Sequence, residues 1–164
     1  MESRFDHKAV EPQIYRRWEK SGFFNPDKLP RTHRKPFTII MPPPNANGPL
    51  HIGHAFEVAI QDLMIRYYRM KGRKTLWLPG ADHAGFETQV VFDKKLEKEK
   101  RNRCQIPRNK LWQEMWQFTQ DNKKVMEAQL RRLGASCDWS REKFTLDPDV
   151  IKKTQETFIQ LYKD

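Results

Sequence analysis

Between residues 36 and 100 the apolar positions switch twice from a short continuous run to a helical spacing. "PFTIIM" at 36–41 is a β-favouring run that stops where Pro42 has no N–H to give to a ladder, so it reads as a buried strand. Phe56, Ile60, Leu63, Tyr67 and Met70 then recur at helical spacing, with Asp62, Arg66 and Arg69 on the other side. This predicts a helix over 53–70 with its stripe against the core, its charges in water and Gly72 as terminator. "KTLWLPG" predicts a second buried strand closed by a Pro-Gly break, and "FETQVVFDKKLEKEK" a second helix. Strand, helix, strand and helix at this spacing form a right-handed βαβ unit in a parallel sheet, with both proline breaks on one edge. Ligands of open α/β sheets bind beyond the carboxyl ends of the strands, so "PPPNANGPLHIGH" and "PGADHAG" are expected to face each other across a crevice.

The flanks read as helical. Val10, Ile14 and Trp18, with Pro12 in a first turn, predict a lead-in helix ending near Gly22. Residues 107–133 form a long helical region with Leu111, Met115, Phe118, Met126, Leu130 and Leu133 on one side, Gly134 as terminator, and Trp112 and Trp116 in the core. Asp147 as N-cap and Pro148 in the first turn start a last helix carrying Ile151, Phe158 and Leu161. The lysine-rich "DKKLEKEKRNR" is a solvated helix end and connector, and no internal repeat or low-complexity segment is present. The expected organisation is a lead-in helix and loop over 1–35, a βαβα unit over 36–103 and a helical extension over 104–164.

Composition adds a partner class. A formal charge of +10 and a pI near 9.7 favour contact with a polyanion, nucleic acid first, and five Trp and ten Phe supply apolar area for a folded domain. Cys104 and Cys137 make no cysteine or histidine cluster of metal-binding spacing, so they read as free thiols and no metal ligand is assigned. The chain has no apolar run long enough to span a bilayer, and "MESRFDHKAV" lacks a signal-peptide core; the expectation is a cytosolic protein without a membrane partner.

The chemistry concentrates in "HIGH" at 51–54. Unpaired N–H groups at a helix start bind anions, phosphate above all. His51 and His54 share one helix face and can donate to phosphoryl oxygens as charge develops, while Gly53 lets a flat ring approach the backbone. Each histidine read in isolation is equally a polar cap. Asp82, just past the second strand, either caps the next helix or pairs with a substrate ammonium, and the residues alone do not choose.

"PPPNANGPLHIGHA", "RYYRMKGRKTLWLPGADHAGFETQ" and "LGASCDWSREKFTLDP" together resemble the amino-terminal part of a class I aminoacyl-tRNA synthetase, in its valyl branch. One departure stands out: valyl enzymes usually carry Val-Thr where this chain has Ala46 and Asn47, and Ala-Asn-Gly is an isoleucyl trait. The resemblance implies an α/β fold, the first half of a Rossmann-like parallel nucleotide-binding fold with added helices. It also implies a ligase that uses ATP, with Mg2+ carried by the ATP, to convert valine to valyl-adenylate and pass it to tRNA(Val). In that reading Gly48, His51, Gly53 and His54 contact ATP, with His51 and His54 as the catalytic pair. Pro43, Asn45 and Asp82 meet the amino acid, Asp82 taking its α-ammonium. Catalysis is positioning plus charge stabilisation, and no side-chain nucleophile is required. The family's Lys-Met-Ser-Lys-Ser loop, editing insertion and anticodon-binding domain are not in the sequence, so it reads as a fragment ending just before the editing insertion, of weak or no activity alone. Such a fragment is expected to self-associate through exposed sheet edge and helix faces. Three other readings remain: an isoleucyl-type fragment, a small nucleotidyltransferase with a His-x-Gly-His helix start, and a non-catalytic basic RNA-binding module derived from a synthetase.

Overall fold

A computed structural model describes residues 5–32 and 34–164; His33 of the turn-rich stretch and the first four residues of the amino-terminal stretch lie outside the described residues. The chain divides into two compact units, residues 1–42, 50–79 and 127–142 in one, and residues 43–49, 80–126 and 143–164 in the other.

The first unit holds the predicted βαβ. β1 (Pro36–Ile40) and β2 (Lys74–Leu78) pair in parallel, Pro36 opposite Lys74 through Ile40 opposite Leu78, and α2 (Ile52–Met70) makes the crossover. Gly72 adopts φ +74 just past α2, where a side chain would be strained, and so ends the helix as expected. β1 is not the fully buried strand its composition suggests: among the described residues it has a strand partner on one side only, its residues alternate and Ile40 is 68 % exposed. The core is Met41, Val58, Ile65, Trp77, Leu130, Ala135 and Cys137. Trp77 is fully buried, and its Nε1 donates to Gln61 Oε1 at 2.9 Å.

Two expectations for this unit are reversed. In α1 (His7–Ser21) the core position belongs to Tyr15. Its hydroxyl donates to the Ala135 carbonyl and accepts from Trp139 Nε1, both at 2.8 Å, and burial pushes the phenol pKa up. Val10 is half-buried, and Ile14 and Trp18 are exposed. Because the helix begins at His7, Pro12 sits inside it rather than in its first turn. In α2 the predicted apolar stripe is the exposed face, with Phe56 and Leu63 each 69 % and Met70 82 % exposed. The charged residues point inward instead. Asp62 accepts from the Ser136 amide and hydroxyl and pairs with Arg66 at 2.7 Å. Arg66 donates to the Gly134 carbonyl, and Arg69 reaches Thr75 Oγ1, Ser136 Oγ and the Ser136 carbonyl at 3.1–3.2 Å. Buried polar groups are tolerated when satisfied, and here the backbone of 134–136 satisfies them.

The second unit holds α3 (Gly85–Lys98), most of α4 (Arg108–Arg132) and α5 (Pro148–Lys163), close to their predicted spans. It also contains a ladder absent from the sequence reading. β3 (Gly80–Ala81) pairs in parallel with β4 (Lys143–Phe144), and on its other side Asp82 bridges Asn45, also in parallel. Glycine suits the first position of this ladder: a Cβ on Gly80 would stand 3.1 Å from the Lys143 carbonyl oxygen, a close approach to backbone. Trp112 is not core, being 64 % exposed on α4, whereas Trp116 is half-buried. Leu133, beyond the carboxyl end of α4 in the first unit, is also exposed. α5 has no buried residue, and Asp147 makes no side-chain cap bond; its carboxylate accepts from the Phe144 amide at 2.9 Å. Cys104 is exposed and Cys137 buried, both free, and burial raises the Cys137 thiol pKa. Among the described residues no helix is long and apolar enough to cross a membrane.

Candidate functional site

In the first unit the His-Ile-Gly-His turn starts α2 as a reciprocal capping box. The Gly53 amide donates to His51 Nδ1 at 3.1 Å, and the His51 amide donates to His54 Nδ1 at 3.2 Å. Two consequences follow from these bonds. Both Nδ1 atoms are acceptors, so both rings are neutral and carry their proton on Nε2. The ring centroids lie 4.0 Å apart with planes inclined at 39°. Burial first, and then the neighbouring His51, lower the His54 pKa, so the neutral form persists further into acid than that of a free imidazole. Gly53 is explained by the cap itself: an added Cβ would meet His51 Cε1 at 2.9 Å. No acidic residue occupies the first turn of α2, so helix dipole and Nε2–H donors act together on an anion. The donor set suits a phosphate.

In the second unit the segments beyond the two proline breaks hydrogen-bond to each other directly through Pro44, Ala46 and Asp82. The Ala46 amide donates to the Asp82 carbonyl at 2.7 Å, and the Asp82 amide donates to the Pro44 carbonyl at 2.8 Å. Asn45 and Pro43 are exposed on this ladder, and a Cβ on Gly80 would be 3.5 Å from Pro43 Cβ. A Cβ on Gly48 would meet nothing within 4 Å. Asp82 does not cap α3 from the usual position, which is held by Ala84 in the left-handed region at φ +53 without a side-chain cap bond. Its Oδ1 accepts from the Ala84 amide at 3.1 Å and from Thr145 Oγ1 at 2.9 Å. Thr145 Oγ1 in turn accepts from the His83 amide at 2.9 Å, and Thr88 Oγ1 donates to the His83 carbonyl. Thr145 and Thr88 thus hold the loop that presents Asp82, and neither was singled out from the sequence. "FTLD" contains Thr145, but only the β3–β4 ladder brings it beside Asp82. Buried His83 Nδ1 has no hydrogen-bond partner.

Residues 13–164 match the model of the tRNA synthetases class I (I, L, M and V), and the chain belongs to that family. Among curated proteins it is similar to the valine–tRNA ligase of Brucella suis biovar 1, 44 % identical over 164 residues that make up 99 % of this chain and 18 % of that protein. The valine–tRNA ligase of Buchnera aphidicola is 43 % identical, with 100 % of this chain and 17 % of that protein covered. The chain therefore spans less than a fifth of the length of these relatives. Among solved structures it resembles the Agrobacterium radiobacter K84 agnB2 LeuRS in its ternary complex with tRNA and LeuAMS. The TM-score is 0.74 at 22 % identity, over 98 % of this chain and 18 % of that one. That likeness supports the fold, a Rossmann-like α/β fragment with parallel strands, as predicted.

Proposed function

We propose that this chain is the amino-terminal half of the catalytic domain of a valine–tRNA ligase, in which valine and ATP give valyl-adenylate and pyrophosphate and the valyl group then passes to tRNA(Val). The observation that carries the reading is the histidine capping box, which holds two neutral rings with Nε2–H donors at a helix start. The identity to valine–tRNA ligases over the whole chain supports the amino acid named. In this proposal His51 and His54 donate to the triphosphate and stabilise the charge that builds on it, and Gly53 admits the His51 ring to its cap. Gly48, with open space above it, borders the nucleotide. Asp82 takes the valine ammonium through the oxygen its loop bonds leave over, Pro43 walls the side-chain pocket and Asn45 orients the substrate. Mg2+ arrives with ATP and neutralises its phosphates. Residues 104–164 lead toward the remainder of such an enzyme.

Changing His51 and His54 together to Ala should abolish ATP-induced chemical-shift changes in an NMR titration while the fold persists. Persistent shifts would reduce the histidines to helix caps. Asp82→Asn should weaken binding of a valyl-adenylate analogue far more than ATP binding. Equal loss of both assigns Asp82 to the Thr145 contact alone. Valine-dependent pyrophosphate exchange decides between this reading and a non-catalytic RNA-binding module, and comparing valine with isoleucine in the same assay decides the branch.

The exposed α2 stripe and the β1 edge that faces away from β2 support self-association of the chain. Analytical ultracentrifugation should show species larger than the monomer as concentration rises, and a clean monomer overturns it.

A further inference from the structure

We propose that Trp112, backed by Trp116, is a stacking platform for an unpaired nucleobase of an RNA strand, with the adjoining phosphate held by Arg108. The proposal rests on the tRNA-ligase reading for its partner class and on the second unit for its geometry. The two indoles lie one helical turn apart on α4, nearly parallel at 8°, with ring centroids 5.8 Å apart. Trp116 is fixed from behind by an edge contact to buried Phe144 at 6.1 Å, and Phe144 makes an edge contact to His83 at 6.4 Å. An aromatic chain therefore runs from the surface to the residue beside Asp82. Its outer member is 64 % exposed, which leaves its outer face open to a stacking ring.

Charge decides the occupant. Arg108 lies four residues before Trp112 on the same helix face, about 6 Å away along the axis, the scale of one nucleotide from base to phosphate. The first turn of α4 contains no acidic residue. The nearby carboxylate of Glu114 is bound on both oxygens by Arg101, at 2.7 and 2.8 Å. What remains is an aromatic plane next to Arg108, which makes no ion pair among the described residues, on a chain of net charge +10. An acidic protein surface would use the cation but not the plane. Stacking on an aromatic face is sequence-tolerant, so the site accepts any unpaired base.

Free nucleotide and RNA end offer the same base-plus-phosphate chemistry, and the test separates them. The chain, its Trp112→Ala, Trp112→Phe and Arg108→Gln variants, and the His51→Ala/His54→Ala variant are titrated with AMP, with a short single-stranded RNA and with a blunt-ended RNA duplex. Anisotropy follows labelled RNA, and tryptophan fluorescence follows AMP. Trp112→Ala should weaken single-stranded RNA binding roughly 5- to 150-fold, the loss expected for one base stack. Trp112→Phe should retain most of the affinity. Arg108→Gln should reduce the slope of log affinity against log salt by about 1. The blunt-ended duplex should bind equally to the parent chain and Trp112→Ala, and AMP should bind far more weakly than the strand. Tight AMP binding lost in Trp112→Ala overturns the RNA assignment in favour of a free nucleotide. Unchanged single-strand affinity in Trp112→Ala, or no saturable RNA binding at all, overturns the platform, as does a Trp112→Ala chain altered only in self-association. The histidine variant distinguishes the two readings. If it loses ATP shifts but keeps RNA affinity, both stand; if it keeps ATP shifts while Trp112→Ala loses RNA affinity, the activation reading fails and the platform survives.

Discussion

The two faces of α2 contradict their chemistry. The face carrying Asp62, Arg66 and Arg69 is turned toward the residues 134–136 that follow α4, and the face carrying Phe56, Ile60, Leu63, Tyr67 and Met70 is turned toward water. The inward face works because every charge finds a partner. Asp62 is shared between Arg66 and Ser136, Arg69 bonds one hydroxyl of β2 and two oxygens of Ser136, and the arginine stems pack while their heads bond. Burial lowers the Arg69 pKa without removing its charge. The outward face leaves a row of large apolar side chains without cover within this chain, an arrangement typical of interaction surfaces. An amphipathic helix thus announces two faces, and which one meets the core depends on what the rest of the chain offers to each.

The sharpest way to break this comparison is to remove the inward carboxylate. Asp62→Ala should destabilise the chain by roughly 3 kcal/mol, because the Ser136 amide and hydroxyl and the Arg66 guanidinium lose their shared acceptor. Denaturant unfolding measures it, and a change below about 0.5 kcal/mol would mean that the charged face is solvated after all. On the other face, Leu63→Lys should leave the unfolding midpoint within about 0.5 kcal/mol of the parent while shifting the sedimentation profile toward monomer. A large destabilisation would place the stripe in a core.

Gly53→Ala probes the end of the helix rather than its faces. The added methyl drives the His51 ring out of its cap at a cost of about 1 kcal/mol, and replacing glycine inside a helix returns a similar amount. Stability should barely change, yet ATP-induced shifts should shrink because the Nε2–H donors are no longer held. Full retention of those shifts would show that preorganisation by the cap is unimportant.

The smallest expected effect is the pH response of the same cap. His54 has a lowered pKa in the folded chain, so between that value and about 6.5 the unfolded chain binds a proton that the folded chain refuses. This contribution to stability is present above pH 6.5 and is lost as pH falls below it. Comparing the parent with His54→Gln over that window isolates it. Parallel stability curves would remove His54 from the pH response.

The sequence by itself determined the local elements and the family. Runs ended by Pro42 and Pro79, the terminators Gly22, Gly72 and Gly134 and the His-Ile-Gly-His turn are short-range features, legible because backbone restriction and capping act within a few residues. Tertiary structure alone decided which face of α2 lies inward, that Tyr15 rather than Ile14 or Trp18 enters the core, that Trp112 stays in water, and that Thr145 supports Asp82. The buried choices depend on groups 60 or more residues away in sequence, as with Asp82 and Thr145, which stand 63 positions apart. Periodicity records that a side chain is apolar or charged; whether a charge is satisfied or an apolar face is covered depends on the partner that packing brings beside it.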